Sequence, residues 1–235
     1  MILGFVVGLA AEAQIARRFG CPVLAGGGTP NGAADAARRL IENGADALVS
    51  FGLAGGLDPA LRPGTIIVPE AVLSDDRMYK ADPDLGRRFG GLTRHCLLAG
   101  TSVAADAAAK HRLHISTRAQ AIDLESGSVA KTAEAHDLAF VVVRAICDPA
   151  GRNLPPAALM ALDHQGEIGL PQVLTSLLRQ PLQLPALLKL ASDAARARRA
   201  LVRCAAGFTA PSGDRGGSQA GGLDASRSGF PPSRR

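Results

Sequence analysis

Apolar, β-branched segments alternate along this chain with alanine-rich stretches of helical character. The pattern predicts strands at residues 2–9, 22–28, 46–52, 65–73, 95–100, 120–125 and 138–148, and helices at 11–19, 31–44, 103–113 and 126–137. Strands that are apolar along their whole length are typical of a sheet covered on both faces, and helices between them make parallel connections. We therefore predict an α/β fold of three layers, with a mostly parallel or mixed central sheet flanked by helices.

The 235 residues suit one such domain followed by a tail. Residues 75–95 are polar and irregular in pattern, and residues 155–207 have a helical pattern. From residue 209 the composition changes to Gly, Ser, Pro and Arg, which is typical of disorder. We predict a folded domain at 1–208 and a disordered tail at 209–235.

Charge and composition exclude several classes of function. The net charge of +5 includes +2 from the tail, where four Arg and two Asp lie. Because no basic patch is interleaved with aromatic residues, we expect no nucleic-acid partner. The four cysteines lie far apart and form no CxxC, which predicts reduced thiols, a cytoplasmic location and no metal site. Aromatic residues make up 3% of the chain, so few side chains can stack on a flat ring.

The predicted helix at 185–203 has two interpretations. One face carries Leu187, Leu190, Ala191, Ala194 and Leu201, and the other carries Lys189, Arg196, Arg199 and Arg203. The first interpretation is a closing helix packed on the sheet. The second is a surface that makes transient contact with an anionic membrane, which would place the protein peripherally on the inner face.

Carboxylates and glycines follow several of the predicted strands. Glu12 comes shortly after the first strand, Glu125 and Asp148 end two later strands, and the glycine loop FGLAGGL follows another at 51–57. In open parallel sheets, ligands bind outside the carboxyl ends of the strands. We therefore predict that these three acids and the loop converge on one site.

Two carboxylates share the segment AIDLESGSVA, at 121–130. Asp and Glu are rare in strands and are costly to bury without a partner. We expect Glu125 to hold a polar ligand, and Asp123 to point to the opposite face in a structural role.

Three stretches of the chain resemble signature segments of the purine nucleoside phosphorylase and nucleosidase superfamily. They are SFGLAGGLDPALRPGTIIVPE, IDLESGSVA and FVVVRAICDPA, which occur in the family's order and spacing within residues 1–150. The segment at 151–191 is similar to the hopanoid-associated group of that superfamily, which is believed to act on adenosylhopane. The resemblance implies a catalytic domain at 1–208 that releases adenine from a 5′-substituted adenosine in hopanoid biosynthesis.

The resemblance also implies roles for particular residues. Glu125 matches the glutamate that holds the ribose hydroxyls, Asp148 the aspartate that helps protonate the purine at N7, and Glu12 the glutamate that binds or activates a water molecule. The loop that approaches the ribose and base is matched by Gly52, Ala54 and Gly55.

Four positions depart from the family pattern. Leu124 replaces a methionine that packs on the ribose, Cys147 replaces a serine before the catalytic aspartate, and Leu53 replaces a serine of the glycine loop. Val103 stands where an aromatic residue commonly stacks on the base. Since Val103 cannot stack in that way, the recognition of adenine is not explained by the sequence.

Several alternatives stay open. We favour water over phosphate as the acceptor, because Glu12 would repel an incoming phosphate, although the amides of Gly26–Gly28 could bind one. No cofactor is implied, and relatives are dimers or hexamers, so we expect a homo-oligomer. The partner would be a nucleoside or a nucleoside-lipid. One alternative function is a methylthioadenosine or adenosylhomocysteine nucleosidase, and another is a nucleoside-binding module without turnover.

Overall fold

A computed structural model describes residues 1–156, 158 and 181–208 of the chain. The predicted tail at 209–235, and the greater part of the segment that resembles the hopanoid-associated group, lie outside the described residues. The division into a domain at 1–208 and a tail therefore stays a prediction.

The strands of the described ranges form one sheet. They are β1 (Leu3–Val7), β2 (Val23–Ala25), β3 (Ala47–Gly56), β4 (Ile66–Ile67), β5 (Pro69–Ser74), β6 (Arg77–Lys80), β7 (Thr93–Ala99), β8 (Ala121–Asp123) and β9 (Ala139–Asp148). The order is β2-β1-β3-β8-β7-β5-β6, with β9 paired to β3 and β4 paired to β9. Most pairs are parallel, while β3–β8, β4–β9 and β5–β6 are antiparallel, so the prediction of a mixed central sheet is confirmed.

Helices cover both faces of this sheet. They are α1 (Ala10–Ala16), α2 (Pro30–Glu42), α3 (Pro83–Arg87), α4 (Ala107–Thr117), α5 (Ser126–Ala135) and α6 (Leu184–Ala206). Leu48 of β3 packs in the cluster that contains α2 and α5, whereas its neighbours Ala47 and Val49 pack in the cluster that contains α1, α3 and α6. The alternation of side chains along a strand thus fills two apolar layers, as predicted for a three-layer fold.

The second apolar layer contains a cluster of phenylalanines, whose ring centroids lie 4.6 to 6.3 Å apart. Its members are Phe5, Phe19, Phe51, Phe89 and Phe208. Phe140 is buried in the other layer. Six of the seven phenylalanines of the sequence therefore serve the core, which leaves few rings for ligand binding.

α6 acts as a closing helix over residues 197–205. Ala197, Leu201 and Ala205 are buried against the sheet, which supports the first interpretation for this part of the helix, whereas Ala191 of the predicted apolar face is exposed. Leu184 and Leu188, nearer the start of the helix, are exposed. None of the helices in the described ranges is long and apolar enough to cross a membrane.

Several predicted boundaries are wrong. The predicted glycine loop at 51–57 lies almost wholly within β3, because pairing with β9 continues through Gly52 and Gly55 and keeps those glycines extended. The polar stretch at 75–95 contains β6, α3 and the start of β7. α2 begins at Pro30 rather than at residue 31, because Thr29 caps it: its Oγ1 accepts a hydrogen bond from the Gly32 amide.

Candidate active site

One edge of β3 is left open between two partner strands. β1 pairs with β3 as far as Ser50, and β8 pairs with it only at Gly55 and Gly56. The carboxylate of Glu12, in α1, occupies the opening: its Oε1 accepts from the Leu53 amide at 2.8 Å. Its Oε2 accepts from the amides of Gly8 and Leu9, each at 2.9 Å. Glu12 is buried, and backbone donors stabilise its carboxylate in place of a neighbouring strand.

Glu125 is the residue immediately before α5. It is also buried, with 7% of its surface exposed. A Cβ atom added to Gly8 would lie 2.8 Å from Glu125 Oε2 and 3.1 Å from Glu12 Oε2. The two carboxylates therefore approach the same backbone position. Burial raises the pKa of Glu125 to about 7, the Arg144 guanidinium opposes this, and the charges of Glu12 and Asp123 add to it.

Arg144, in the middle of β9, joins these acids. Its side chain is 1% exposed; Nε donates to Asp123 Oδ2 at 2.6 Å, and Nη2 donates to the Ser50 and Ser126 hydroxyls at 2.7 and 3.1 Å. Nη2 also lies 3.9 Å from Glu125 Oε2. Arg144 was not among the site residues predicted from the sequence, although a charged residue inside the apolar segment FVVVRAICD was a signal for it.

The contacts of Arg144 correct the expectation for Asp123. Asp123 and Glu125 approach one guanidinium, so they do not point to opposite faces. β8 ends at Asp123 and the chain bends through Leu124 and Glu125 before α5, which brings both carboxylates to the same guanidinium. The structural role is supported, since Asp123 Oδ1 also accepts from the Ser126 amide at 3.1 Å and fixes the start of α5.

At Gly52, Glu12 and Arg144 occupy the space that a side chain on β3 would fill. A Cβ atom added there would lie 2.7 Å from both Glu12 Oε1 and Arg144 Nη1. Within the described residues, Arg144 Nη1 and Glu125 Oε1 are buried and have no hydrogen-bond partner. Buried polar atoms in proteins are nearly always hydrogen-bonded, so this donor and this acceptor are suited to a small polar ligand.

Asp148 ends β9 and is 7% exposed. Its Oδ2 accepts from Lys110 Nζ at 2.5 Å, while Oδ1 is buried and, in the part of the chain described, has no partner. Burial raises the pKa of Asp148, and the hydrogen bond and charge of Lys110 oppose that rise. Lys110, in α4, was not selected from the sequence, because its place in a polar helix gives no signal of burial.

The acids form two groups, one around Glu125 and one around Asp148, and these groups adjoin two strands that both pair with β3. Gly55 of β3 pairs with Ile122 of β8 on one side and with Asp148 of β9 on the other, so β8, which precedes Glu125 in the chain, and the end of β9 flank β3. Two strand spacings separate β8 from β9 by about 10 Å. Burial raises the pKa of the Cys147 thiol to about 12, and the charges of Asp148 and Glu12 add to that rise.

The remaining predicted site residues have varied surroundings. Ala54 is buried and its carbonyl accepts a hydrogen bond from Cys147 Sγ at 3.5 Å. Leu124 is half-buried, and Leu53 contributes its amide rather than its side chain. Val103 lies in the loop between β7 and α4 and is 38% exposed, so its contact with a base stays a prediction. Within the described ranges, no group of three or more His, Cys, Asp or Glu residues is placed to hold a metal ion.

Comparisons with known proteins identify the fold. Residues 23–93 match the sequence model of the phosphorylase superfamily. No curated protein matches the chain. Among solved structures, the 5′-methylthioadenosine/S-adenosylhomocysteine nucleosidase of Colwellia psychrerythraea, in complex with adenine, is 14% identical with a TM-score of 0.62, covering 88% of this chain and 96% of its own.

Two further structures agree. The futalosine hydrolase of Helicobacter pylori is 14% identical with a TM-score of 0.62, over 88% of this chain and 97% of its own. The S-adenosylhomocysteine nucleosidase of Streptococcus pyogenes, in complex with 5-methylthiotubericidin, is 18% identical with a TM-score of 0.59, over 76% of this chain and 96% of its own. The chain therefore has the α/β fold of the nucleoside phosphorylases and nucleosidases.

Proposed function

We propose that this chain is a nucleosidase that cleaves the N-glycosidic bond of a 5′-substituted adenosine and releases adenine, with water as the acceptor. The observation that carries the proposal is a buried set of acids around β3 whose hydrogen-bonding capacity is incomplete. Glu125 Oε1, Arg144 Nη1 and Asp148 Oδ1 have no partner in the described part of the chain. The superfamily match at 23–93 and the fold support the same reaction class.

Glu125 is proposed to accept hydrogen bonds from the two ribose hydroxyls. Its Oε1 accepts no hydrogen bond from the residues that the structure describes, and a diol supplies two O–H donors. Hydrogen bonds to the charged form lower a carboxyl pKa, so substrate would oppose the effect of burial and keep Glu125 ionised. An ionised Glu125 beside the sugar would also stabilise the positive charge that develops when the glycosidic bond breaks.

Glu12 and Arg144 are proposed to hold the attacking water. A carboxylate has about four lone-pair sites, and three backbone amides already donate to Glu12, which leaves capacity for one further donor. Arg144 Nη1, beside Glu12 Oε1 at Gly52, can donate to the water oxygen. The water oxygen would bond to C1′ of the ribose and pass a proton to Glu12.

Asp148 is proposed as the acid for the leaving base. As the bond from C1′ to N9 breaks, its electron pair moves to the purine, and Asp148 supplies a proton at N7. Burial favours the protonated acid, since it raises the pKa of Asp148. Positioned acid catalysis contributes on the order of 100- to 10,000-fold, so we expect Asp148→Asn to lose turnover by that amount while still binding nucleoside.

Water is favoured over phosphate by the charges around β3. Glu12 and Glu125 would repel a phosphate anion, and the positive charge of Arg144 is already offset by Asp123 at 2.6 Å. The test is adenine release from purified protein in phosphate-free buffer, with Asp148→Asn as the inactive control. A rate unchanged by added phosphate is expected, and a rate that requires phosphate would refute the hydrolytic reaction.

Adenosylhopane is our proposed substrate, because the segment at 151–191 resembles the hopanoid-associated group. Leu182, Leu184 and Leu188 are exposed and would add apolar surface for a lipid substituent. Methylthioadenosine or adenosylhomocysteine is the second candidate, favoured by the fold shared with nucleosidases of those substrates. We also propose that the protein is a homo-oligomer in the cytoplasm and that it makes peripheral contact with the membrane.

The two candidates are distinguished by parallel incubations. The protein would be given adenosylhopane in mixed detergent micelles, or methylthioadenosine in the same micelles, and adenine would be measured by chromatography. The proposal predicts a higher kcat/KM for adenosylhopane. A higher value for methylthioadenosine would assign the second function, and adenine release from neither substrate would refute the nucleosidase activity.

A further inference from the structure

Lys110 is a fully buried lysine on α4, with a side chain 1% exposed. Its ammonium donates to Asp148 Oδ2 at 2.5 Å, to the Pro149 carbonyl at 3.2 Å and to the Arg152 carbonyl at 3.0 Å. A lysine has three N–H donors, so these contacts use all of them. A buried charge is tolerated only when it is paired in this way, and the contacts fix Lys110 to the end of β9 and to the loop that follows.

The ion pair makes the two oxygens of Asp148 unequal. Oδ2 accepts from the ammonium, whereas Oδ1 is buried without a partner in the described ranges. When Asp148 binds a proton, Oδ1 is therefore the oxygen that carries it, because Oδ2 already faces a donor. The arrangement presents a single oxygen for proton delivery.

Other charged groups face Asp148 from the neighbouring elements. Arg152 follows β9, and its Nη2 lies 2.5 Å from Asp193 Oδ2 of α6. The other oxygen of Asp193, Oδ1, lies 3.2 Å from Arg196 Nη1. The charge of Arg152 lowers the pKa of Asp148 and that of Asp193 raises it, both after the larger effects of burial and Lys110. Lys110 is the only one of these groups whose hydrogen bond to the Asp148 carboxylate is recorded among the described residues.

We propose that Lys110 is a positioning residue that acts through Asp148: it holds Oδ2 and leaves Oδ1 to deliver the proton to the departing base. This inference rests on the proposed function. The ammonium also limits the rise that burial causes in the pKa of Asp148. General acids work best with a pKa near the operating pH, so the cation allows Asp148 both to donate its proton and to regain it.

The first test compares Lys110→Met, Asp148→Asn and the double variant. Lys110→Met should lower kcat by about 10- to 100-fold with little change in KM, a smaller loss than the roughly 100- to 10,000-fold that a positioned acid itself contributes. Without the cation the pKa of Asp148 rises, so the pH above which kcat falls should move upward. In the Asp148→Asn background, Lys110→Met should cause no further loss. An unmoved pH profile, or equal losses in both backgrounds, would overturn the proposal.

A second variant guards against misfolding of Lys110→Met. Lys110→Gln is neutral but keeps a donor for Oδ2, so it should retain more kcat than Lys110→Met while showing the same upward shift of the pH profile. If Lys110→Met does not fold, the pH profile of kcat measured for Lys110→Gln tests the proposal on its own. A profile equal to that of the parent would overturn the proposal.

A readout without substrate separates this inference from the proposed function. In protein labelled with ¹³C-aspartate, the carboxyl resonance missing from Asp148→Asn belongs to Asp148, and its titration midpoint should be higher in Lys110→Gln than in the parent. An unchanged midpoint would refute the coupling, whatever the activity. A shifted midpoint in a protein that releases no adenine would refute the nucleosidase function and leave the coupling intact.

Discussion

Glu125 experiences two opposing demands. Burial raises its pKa to about 7, yet the proposed contact with the ribose diol needs its charged form. In free protein, kcat/KM should therefore fall as the pH decreases through about 7, because protonated Glu125 is a poor acceptor. With substrate bound the hydroxyl donors favour the charge, so the corresponding fall in kcat should occur at lower pH. Steady-state rates between pH 5 and 9 test this, and a fall at pH 7 that persists in Glu125→Gln would assign it to another group.

The same carboxyl affects stability. The pKa of Glu125 is raised from 4.5 to about 7 in the folded chain, so between these values the folded state binds more protons than the unfolded state. Stability therefore decreases as the pH rises through this window, by about 3 kcal/mol for one group. Glu125→Gln should be more stable than the parent at pH 8, by up to about 3 kcal/mol, and similar to it at pH 4.

Urea unfolding at the two pH values measures this difference. Glu134→Gln is the matched control, since Glu134 lies on the same helix but is exposed and pairs with Arg77 at the surface. Its substitution should change stability by less than about 1 kcal/mol at either pH. A Glu125→Gln variant no more stable than the parent at pH 8 would show that Arg144 and the nearby amides compensate fully for burial.

At the scale of elements, β3 has a glycine where a side chain would displace two of the proposed site residues, Glu12 and Arg144. Gly52→Ala would place a Cβ atom 2.7 Å from both Glu12 Oε1 and Arg144 Nη1, so one or both must move. A displacement of about 1 Å in a catalytic group can cost about 100-fold in rate, and we expect a loss of kcat/KM of that order. The measurement is adenine release together with the melting temperature.

Gly56→Ala is the control on the same strand. Its added Cβ atom would lie 3.3 Å from the Ile146 Cγ2 methyl and 3.5 Å from the Asp148 carbonyl, without reaching Glu12 or Arg144. Activity should stay close to that of the parent. Equal losses in the two variants would show that β3 tolerates no side chain at either glycine, and would remove the special role of Gly52.

The sequence predicted these elements unevenly, for physical reasons. Apolar strands reveal their two-sided burial locally, so the three layers were predictable. The hairpin of β5 and β6 was missed although Asp75 and Asp76, both with positive φ, are residues that favour its turn. The burial of Lys110 and Arg144 depends on which strands and helices meet in space, and a local pattern of residue types does not contain that information.

At the scale of the whole molecule, the phenylalanine cluster shows a similar limit. Its members come from residues as distant as Phe5 and Phe208, and only the strand order brings them together. The composition indicated few rings for stacking on a base, and the fold uses the described phenylalanines in the core. Recognition of the purine in the proposed reaction would then depend on backbone groups and aliphatic side chains.

Phe208 marks where the folded domain is predicted to end. Its ring lies 5.0 Å from that of Phe19 and 5.2 Å from that of Phe89, and the Arg88 guanidinium lies 5.2 Å from its centroid. A chain shortened to residues 1–208 should therefore keep the melting temperature and the activity of the full chain. Phe208→Ala, made in either length, should lower the free energy of unfolding by about 2 kcal/mol, less than for a fully buried phenylalanine because this ring is half-buried. Thermal and urea unfolding of the four proteins test both statements, and a shortened chain that melts well below the full one would show that residues 209–235 pack on the domain.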